Sequence, residues 1–301
     1  MGLGHRVVGI DCLSDYYSPK LKERNLRNVR RHNNFKFLKL DVTRGSLSRI
    51  IRSADYVFHL AAQPGVRGSW GTNFEEYVRN NILATQSILE ALKGTKVRKM
   101  IYASSSSIYG DTTVLPTLEE ANPAAVSPYG ITKLAGENLC STYHKGYGLP
   151  VVILRYFTVY GPRQRPDMAF FRFIDNALSG SSVVVYGDGT ASRDFTYVAD
   201  TVEATTLAME KAEPGQVFNI GSGEPVTVNE TIKIMEQLLG REIHVRYEET
   251  QLGDVRSTNA DGTKARTHLG FSAKKTLREG LKEQVLWQRS VRTQLATQGH
   301  L

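Results

Sequence analysis

A chain of 301 residues, 41% hydrophobic and 23% charged, has the composition of an ordinary globular protein and the length for one large α/β domain with a smaller lobe. No apolar run is long enough to span a bilayer and no secretory leader pattern is present, so no membrane association is expected. The net charge of +8 suits nucleic acid or an anionic small molecule, but the cations are dispersed; the densest stretch, Lys20 to Arg31, reads as the polar face of one helix, and nucleic acid is not the expected partner. Cys12 and Cys140 lie far apart with no metal-ligand spacing, which predicts free thiols in a reducing cytoplasm and no metal site.

Strand and helix patterns alternate along the chain. Arg6 to Asp11 is a short apolar strand ending in an acid, and Leu21 to Val29 a charged helix. Phe35 to Asp41, Tyr56 to Ala62, Met100 to Ser104 and Val151 to Tyr156 read as further strands, with helices at Phe74 to Leu92 and Tyr129 to Tyr147 between them. Apolar strands separated by helices of this length predict βαβ units and a Rossmann-like, doubly wound parallel sheet. Beyond about Thr158, Gly-Pro, Gly-Asp-Gly and Gly-Ser-Gly turns mark a more loop-rich region. The expected division is a sheet domain over 1–158 with a returning segment near 194–222, and a smaller α/β substrate lobe over 159–193 and 223–301.

The chemistry is carried first by Ser127-Pro128-Tyr129-Gly-Ile-Thr-Lys133. Serine and proline are a helix N-cap and a first-turn residue, and Tyr129 and Lys133, four apart, share a face. An ammonium beside a phenol favours the phenolate, which can then take a proton from a hydroxyl. Taken alone, this spacing describes an ordinary surface helix pair equally well. Ala103-Ser-Ser-Ser-Ser-Ile-Tyr-Gly110 adds hydroxyls at the carboxyl end of a buried strand, where a doubly wound sheet opens to its ligand.

With these motifs the chain resembles the extended short-chain dehydrogenase/reductases, the epimerase and dehydratase family. The likeness extends to Asp11, Asp41-Val42, His59-Leu-Ala-Ala62, Asn80-Asn81, Arg193-Asp-Phe-Thr-Tyr-Val198, Phe218 to Gly223 and Gly253-Asp-Val255, and so covers nearly the whole chain. It implies NAD as cofactor. Asp11 would hold the adenosine ribose, and a carboxylate there would repel the extra phosphate of NADP. Asp41 and Val42 would flank the adenine, and Leu60, Ala61 and Ala62 would run along the cofactor. Asn81, Ala103 and Tyr156 would touch it, as would Tyr129 and Lys133, the latter binding the nicotinamide ribose. Tyr129, Lys133 and Ser105 would be the catalytic set.

Within the family, dehydratases carry an Asp-Glu pair where this chain has Ser106-Ser107, which argues against loss of water. Leu154 to Ala169 resembles UDP-glucuronate 4-epimerases most, with Thr158 where UDP-glucose epimerases have asparagine. Arg165, in Arg-Pro-Asp-Met-Ala, would pair with the sugar carboxylate through two parallel hydrogen bonds. Ser106, Ser107 and Thr158 would place the sugar. Arg193 would contact the diphosphate, helped by Arg256 because Gln251 stands where many relatives have arginine. The implied reaction is C4 epimerisation of UDP-glucuronate through a 4-keto sugar. The alternatives are a UDP-glucose or UDP-N-acetylglucosamine epimerase, a decarboxylating UDP-glucuronate enzyme, and an inactive nucleotide-binding protein. A homodimer is expected through the apolar faces of the helices at 74–92 and 129–147.

One departure from the family pattern stands out. Met1-Gly-Leu-Gly-His5 resembles the approach to the second strand, and the first strand with its Gly-x-x-Gly-x-x-Gly loop is not found. That strand would lie at the centre of the sheet. The expectation is a shortened form of a normal enzyme, in which the strand's neighbours have unpaired backbone groups and NAD binding is weakened.

Overall fold

The computed structural model describes residues 4–45 and 47–297; the Met1–Leu3 part of the N-terminal reading lies outside the described residues. The first half runs β1 (Val7–Asp11), α1 (Pro19–Leu26), β2 (Phe35–Lys39), α2 (Ser48–Arg52) and β3 (Tyr56–His59), then α3 (Phe74–Tyr77), a π-helical turn at Val78–Leu83, α4 (Ala84–Leu92), β4 (Lys99–Ser105), α5 (Pro128–Tyr147) and β5 (Val151–Tyr156). The second half adds β6 (Thr158–Tyr160), α6 (Ala169–Ser179), β7 (Val183–Tyr186), β8 (Ser192–Tyr197), α7 (Val198–Lys211) and β9 (Val217–Ile220). It ends with β10 (Pro225–Thr227), α8 (Val228–Leu239), β11 (Val245–Glu248), α9 (Thr263–Leu269) and α10 (Leu277–Thr297).

β3, β4, β5 and β9 form a parallel sheet in that order. Strands β4 and β5 are apolar on both faces because both faces are covered. Met100, Tyr102, Val151 and Ile153 pack with Leu89 of α4 and Cys140 of α5. Ile101, Val152 and Leu154 pack on the other side with Ala204 of α7 and Leu269 of α9. A separate core holds the later elements together: Tyr160, Phe170, Ile174, Phe195, Met235 and Leu281. Around it lie a three-stranded sheet, β10-β8-β6, and the parallel pair β11-β7.

The expected single sheet is in two pieces. β1 pairs only with β2, and among the described residues no ladder joins β1 to β3. Ile10, Leu40 and Val57 all pack on the cluster that contains Leu89 and Tyr102, so both pieces cover one core. Their facing parts are poorly covered: Val7, Val8, Phe58 and Leu60 are all exposed, which is unusual for apolar residues on or beside parallel strands.

Candidate active site

The site is built where α5 meets the end of β4. Ser127 caps α5 by accepting a hydrogen bond from the Gly130 amide at 3.1 Å, and Pro128 opens the helix, as the sequence predicts. Two glycines let the helix lie close to the strand. A Cβ at Gly130 would sit 2.5 Å from the Ser107 carbonyl oxygen, and one at Gly136 would sit 2.0 Å from the Tyr102 hydroxyl. The helix therefore carries Tyr129 and Lys133 directly against β4 and the single turn Ser106–Ile108 that follows it.

Ser105 lies close enough to Tyr129 to lower its pKa, and it donates to the Ser107 hydroxyl and accepts from the Ser107 amide, both at 3.1 Å. The electrostatics differ from the sequence expectation. Burial raises the Tyr129 phenol above its ordinary value, while Ser105 and the charge of Arg165 pull it back. Lys133 does not take part, because its ammonium lies 4.8 Å from the centre of the Tyr102 ring. Burial depresses Lys133 to about 8, against the opposing influence of Cys140 and Glu137. No acceptor among the described residues binds that ammonium, so a buried donor remains for a ligand hydroxyl.

Asn81 is 1% exposed, and its amide is fully engaged inside the protein. Its oxygen accepts from the Gln63 amide at 2.7 Å, and its nitrogen donates to the Gln63 carbonyl at 3.0 Å and the Thr132 hydroxyl at 2.9 Å. These bonds tie the loop after β3 to α5. The π-helical turn that contains it was not foreseen; such turns often mark functional positions. His59 is no acid–base candidate: burial, with Lys133 nearby, drives it to about 3, and its Nε2 meets the Thr85 hydroxyl at 2.9 Å.

At the substrate end, Arg165 is close enough to Tyr129 for each to influence the other's ionisation. It is not free, however. Its Nε and Nη2 donate to the two oxygens of Asp167 at 3.0 and 3.1 Å. Asp167 also accepts from the Tyr16 hydroxyl at 3.3 Å, bridging from the loop after β1. Thr158, at the start of β6, and Ser106 and Ser107, beyond β4, are all partly accessible. Arg193, whose pKa burial lowers, has only the main-chain oxygens of Ser192 and Arg256 as partners and no ion pair among the described residues. Arg256 pairs with Asp111 at 2.9 Å. Arg67, unremarked in the sequence, binds Asp254 at 2.8 Å and lies 4.1 Å from the Tyr186 ring centre.

The residues expected around NAD fit it at two ends. Asp11 lies exposed at the end of β1, where one carboxylate oxygen accepts from the Leu13 amide at 2.6 Å and the other is open. Lys133 supplies the unpartnered ammonium at the other end. Leu60 and Ala61 form an exposed run after β3, with Ala62 partly covered, and Ala103 lies within β4. Asp41 accepts from the amide and hydroxyl of Thr43, and these bonds with the charges of Arg79 and Arg44 outweigh burial and lower its pKa. Val42 packs against the core. The Tyr156 hydroxyl meets Thr205 of α7 at 2.7 Å, on the face of the sheet opposite α5.

The features so assembled, a parallel βαβ sheet with a capped helix presenting Tyr129 and Lys133 to strand-end serines, define a nucleotide-dependent oxidoreductase-like site. A family model described as the NAD dependent epimerase/dehydratase family matches residues 1–221. The chain is 39% identical to a UDP-glucuronate 4-epimerase of Thermodesulfobacterium geofontis, over 94% of this chain and 88% of that one. It is also 39% identical to an uncharacterized UDP-glucose epimerase, YtcB, of Bacillus subtilis, over 94% and 90%. The crystal structure of the UDP-glucuronic acid 4-epimerase from Bacillus cereus with UDP-glucuronic acid and NAD superposes with a TM-score of 0.93 at 42% identity, covering 95% of this chain and 91% of that one. The chain belongs to the NAD-dependent epimerase/dehydratase family.

Lys133 provides a test. Its pKa falls from 10.5 to about 8 on folding, so between these values the folded protein holds fewer protons than the unfolded one and stability rises with pH. Below pH 8 the buried ammonium costs stability on the order of 3 kcal/mol. Lys133→Met is expected to unfold at higher urea than wild type at pH 7, with the gap closing as pH rises past 8, and to lose turnover. Equal midpoints at pH 7 would contradict the burial argument.

Proposed function

We propose that the chain inverts C4 of UDP-glucuronate to give UDP-galacturonate, with NAD as cofactor. The observation that carries this reading is Arg165: a guanidinium whose charge reaches the Tyr129 phenol, which Ser105 also influences. A sugar held with its 4-hydroxyl at Tyr129 has its C5 carboxylate within the span of such a cation. Crystallised and curated relatives bearing this activity support the substrate class.

Tyr129 accepts the 4-hydroxyl proton, and Ser105 hydrogen-bonds the reacting oxygen as its charge develops. Arg165 favours the phenolate, Lys133 donates to a cofactor ribose hydroxyl, and Asp11 holds the other ribose. NAD, when bound, supplies the acceptor for the C4 hydride and later returns it. Between these events the 4-keto sugar turns and presents its other face, and Tyr129 gives the proton back. The keto sugar is a β-keto acid, prone to lose carbon dioxide. Arg165 holds its carboxylate out of the geometry that this loss requires, and Arg193 anchors the diphosphate.

A second reading, a neutral UDP-hexose, draws on Asp167, which already compensates the Arg165 charge. Both are separated by the same panel. Wild type is expected to convert UDP-glucuronate with a higher kcat/KM than UDP-glucose and to release no carbon dioxide. Arg165→Ala should lose about ten- to a hundredfold in kcat/KM on the uronate, as for a charge-assisted hydrogen-bonded pair, and should release some pentose product. A preference for UDP-glucose that Arg165→Ala leaves untouched would favour the second reading, and absence of pentose would count against the clamp.

No helix among the described residues is long and apolar enough to cross a membrane. The exposed free thiol of Cys12 suits a reducing compartment, and we place the chain in the cytoplasm. We also place a second copy against the helices at 74–92 and 128–147. Trp70, Phe74, Leu83, Val126 and Ile131 are exposed there, four of them lining or flanking an open apolar hollow of about 610 Å³. Light scattering at micromolar concentration should give twice the chain mass; the mass of one chain would refute the pairing.

A further inference from the structure

Behind the reacting groups lies a buried charge network that the proton transfers do not use. Glu137 follows Lys133 by four residues and Tyr129 by eight, so it continues their face of α5 inward. It is 4% exposed, and Arg155 on β5 is 7% exposed. Arg155 donates from Nε and Nη2 to the two Glu137 oxygens at 3.0 and 2.9 Å. Its Nη1 donates to the Tyr109 hydroxyl and the Glu119 carbonyl, each at 2.7 Å. Tyr109 passes the chain on to Asn219 of β9 at 2.7 Å. The remaining bond is the telling one: Ser104, the residue before Ser105, donates to Glu137 at 2.5 Å.

These bonds join the helix that carries the proton acceptor to the strand end that carries its hydroxyl partner. Gly136 removes the side chain that would hold the two apart, and Glu137 replaces it with a fixed hydrogen-bonded distance. Arg155 prevents the carboxylate from turning away, since both of its oxygens are engaged. We propose that Glu137 is a positioning residue of the reaction: through Ser104 and Arg155 it fixes the spacing of Tyr129 and Lys133 on α5 from Ser105 on β4. This rests on the assignment of those three residues to the proton transfer. The carboxylate has a second consequence, since its charge supports the Lys133 ammonium against burial.

The variant Ser104→Ala cuts the tie between helix and strand and leaves the ion pair intact. It is expected to melt within a few degrees of wild type while kcat falls about tenfold, the scale of a sub-ångström misplacement, with KM within about twofold of wild type by the same reasoning. Ser104→Thr, which keeps the hydroxyl, should restore most of kcat. Glu137→Gln keeps the size and removes the charge, so Lys133 should lose its proton at lower pH and the alkaline fall in kcat/KM should move down by about half a pH unit or more. Should Glu137→Gln fail to fold, the Ser104 pair still decides the matter. A well-folded Ser104→Ala with wild-type kcat, beside an inactive Tyr129→Phe, would overturn the positioning role alone. Wild-type turnover in Tyr129→Phe would instead remove the assignment of the reaction residues, and this proposal with it.

Discussion

A buried ion pair is an expensive way to hold two elements together, because both charges leave water and are repaid only by good geometry and further hydrogen bonds. Glu137 and Arg155 meet that condition: all three guanidinium nitrogens are engaged, and the carboxylate accepts from Ser104 as well. An apolar pair of similar volume would pack α5 on the sheet but would not set its sliding position along β4. The position matters because, in the proposed reaction, Tyr129 and Ser105 share one oxygen of the substrate. Most of what the site does depends on this junction, from the Ser127 cap to the close approach at Gly130 and Gly136.

The cations around the crevice are compensated to different degrees, and the differences divide their work. Arg256 and Arg67 have carboxylate partners, Asp111 and Asp254, and bind the loops that frame the crevice. Arg193 has only carbonyl partners and retains its full charge for an anion. Arg165 is intermediate, held by a carboxylate that also ties in Tyr16. In the proposed reaction a substrate carboxylate shares or displaces Asp167, so discrimination between acidic and neutral sugars becomes a matter of charge exchange rather than of an empty cationic pocket. Lys133 stands apart as a buried amine whose proton is only loosely held.

Much of this was legible in the sequence because it rests on local rules. Ser127-Pro128 starts a helix by capping and by proline's fixed φ, and Tyr129 and Lys133 share its face by spacing alone. The apolar runs of β4 and β5 announced strands covered on both sides. What escaped is set by contacts between distant segments. Nothing local tells that Asn81 turns inward to Gln63 and Thr132, that Tyr156 faces α7, or that Ser104 finds Glu137. Asp167 was within reach, since a carboxylate two residues from Arg165 is an obvious partner, but its pairing depends on how the loop folds. The separation of β1 from β3 and the exposure of Val7, Val8, Phe58 and Leu60 are likewise set by contacts between distant segments.

The central claim is that C4 is oxidised and reduced by one hydride within a site whose proton acceptor is Tyr129. UDP-glucuronate carrying deuterium at C4, incubated with the chain and NAD in ordinary water, tests this directly when the products are separated and weighed. UDP-galacturonate that retains its deuterium is the predicted result. Inverted product that has exchanged its label for solvent hydrogen would contradict the account.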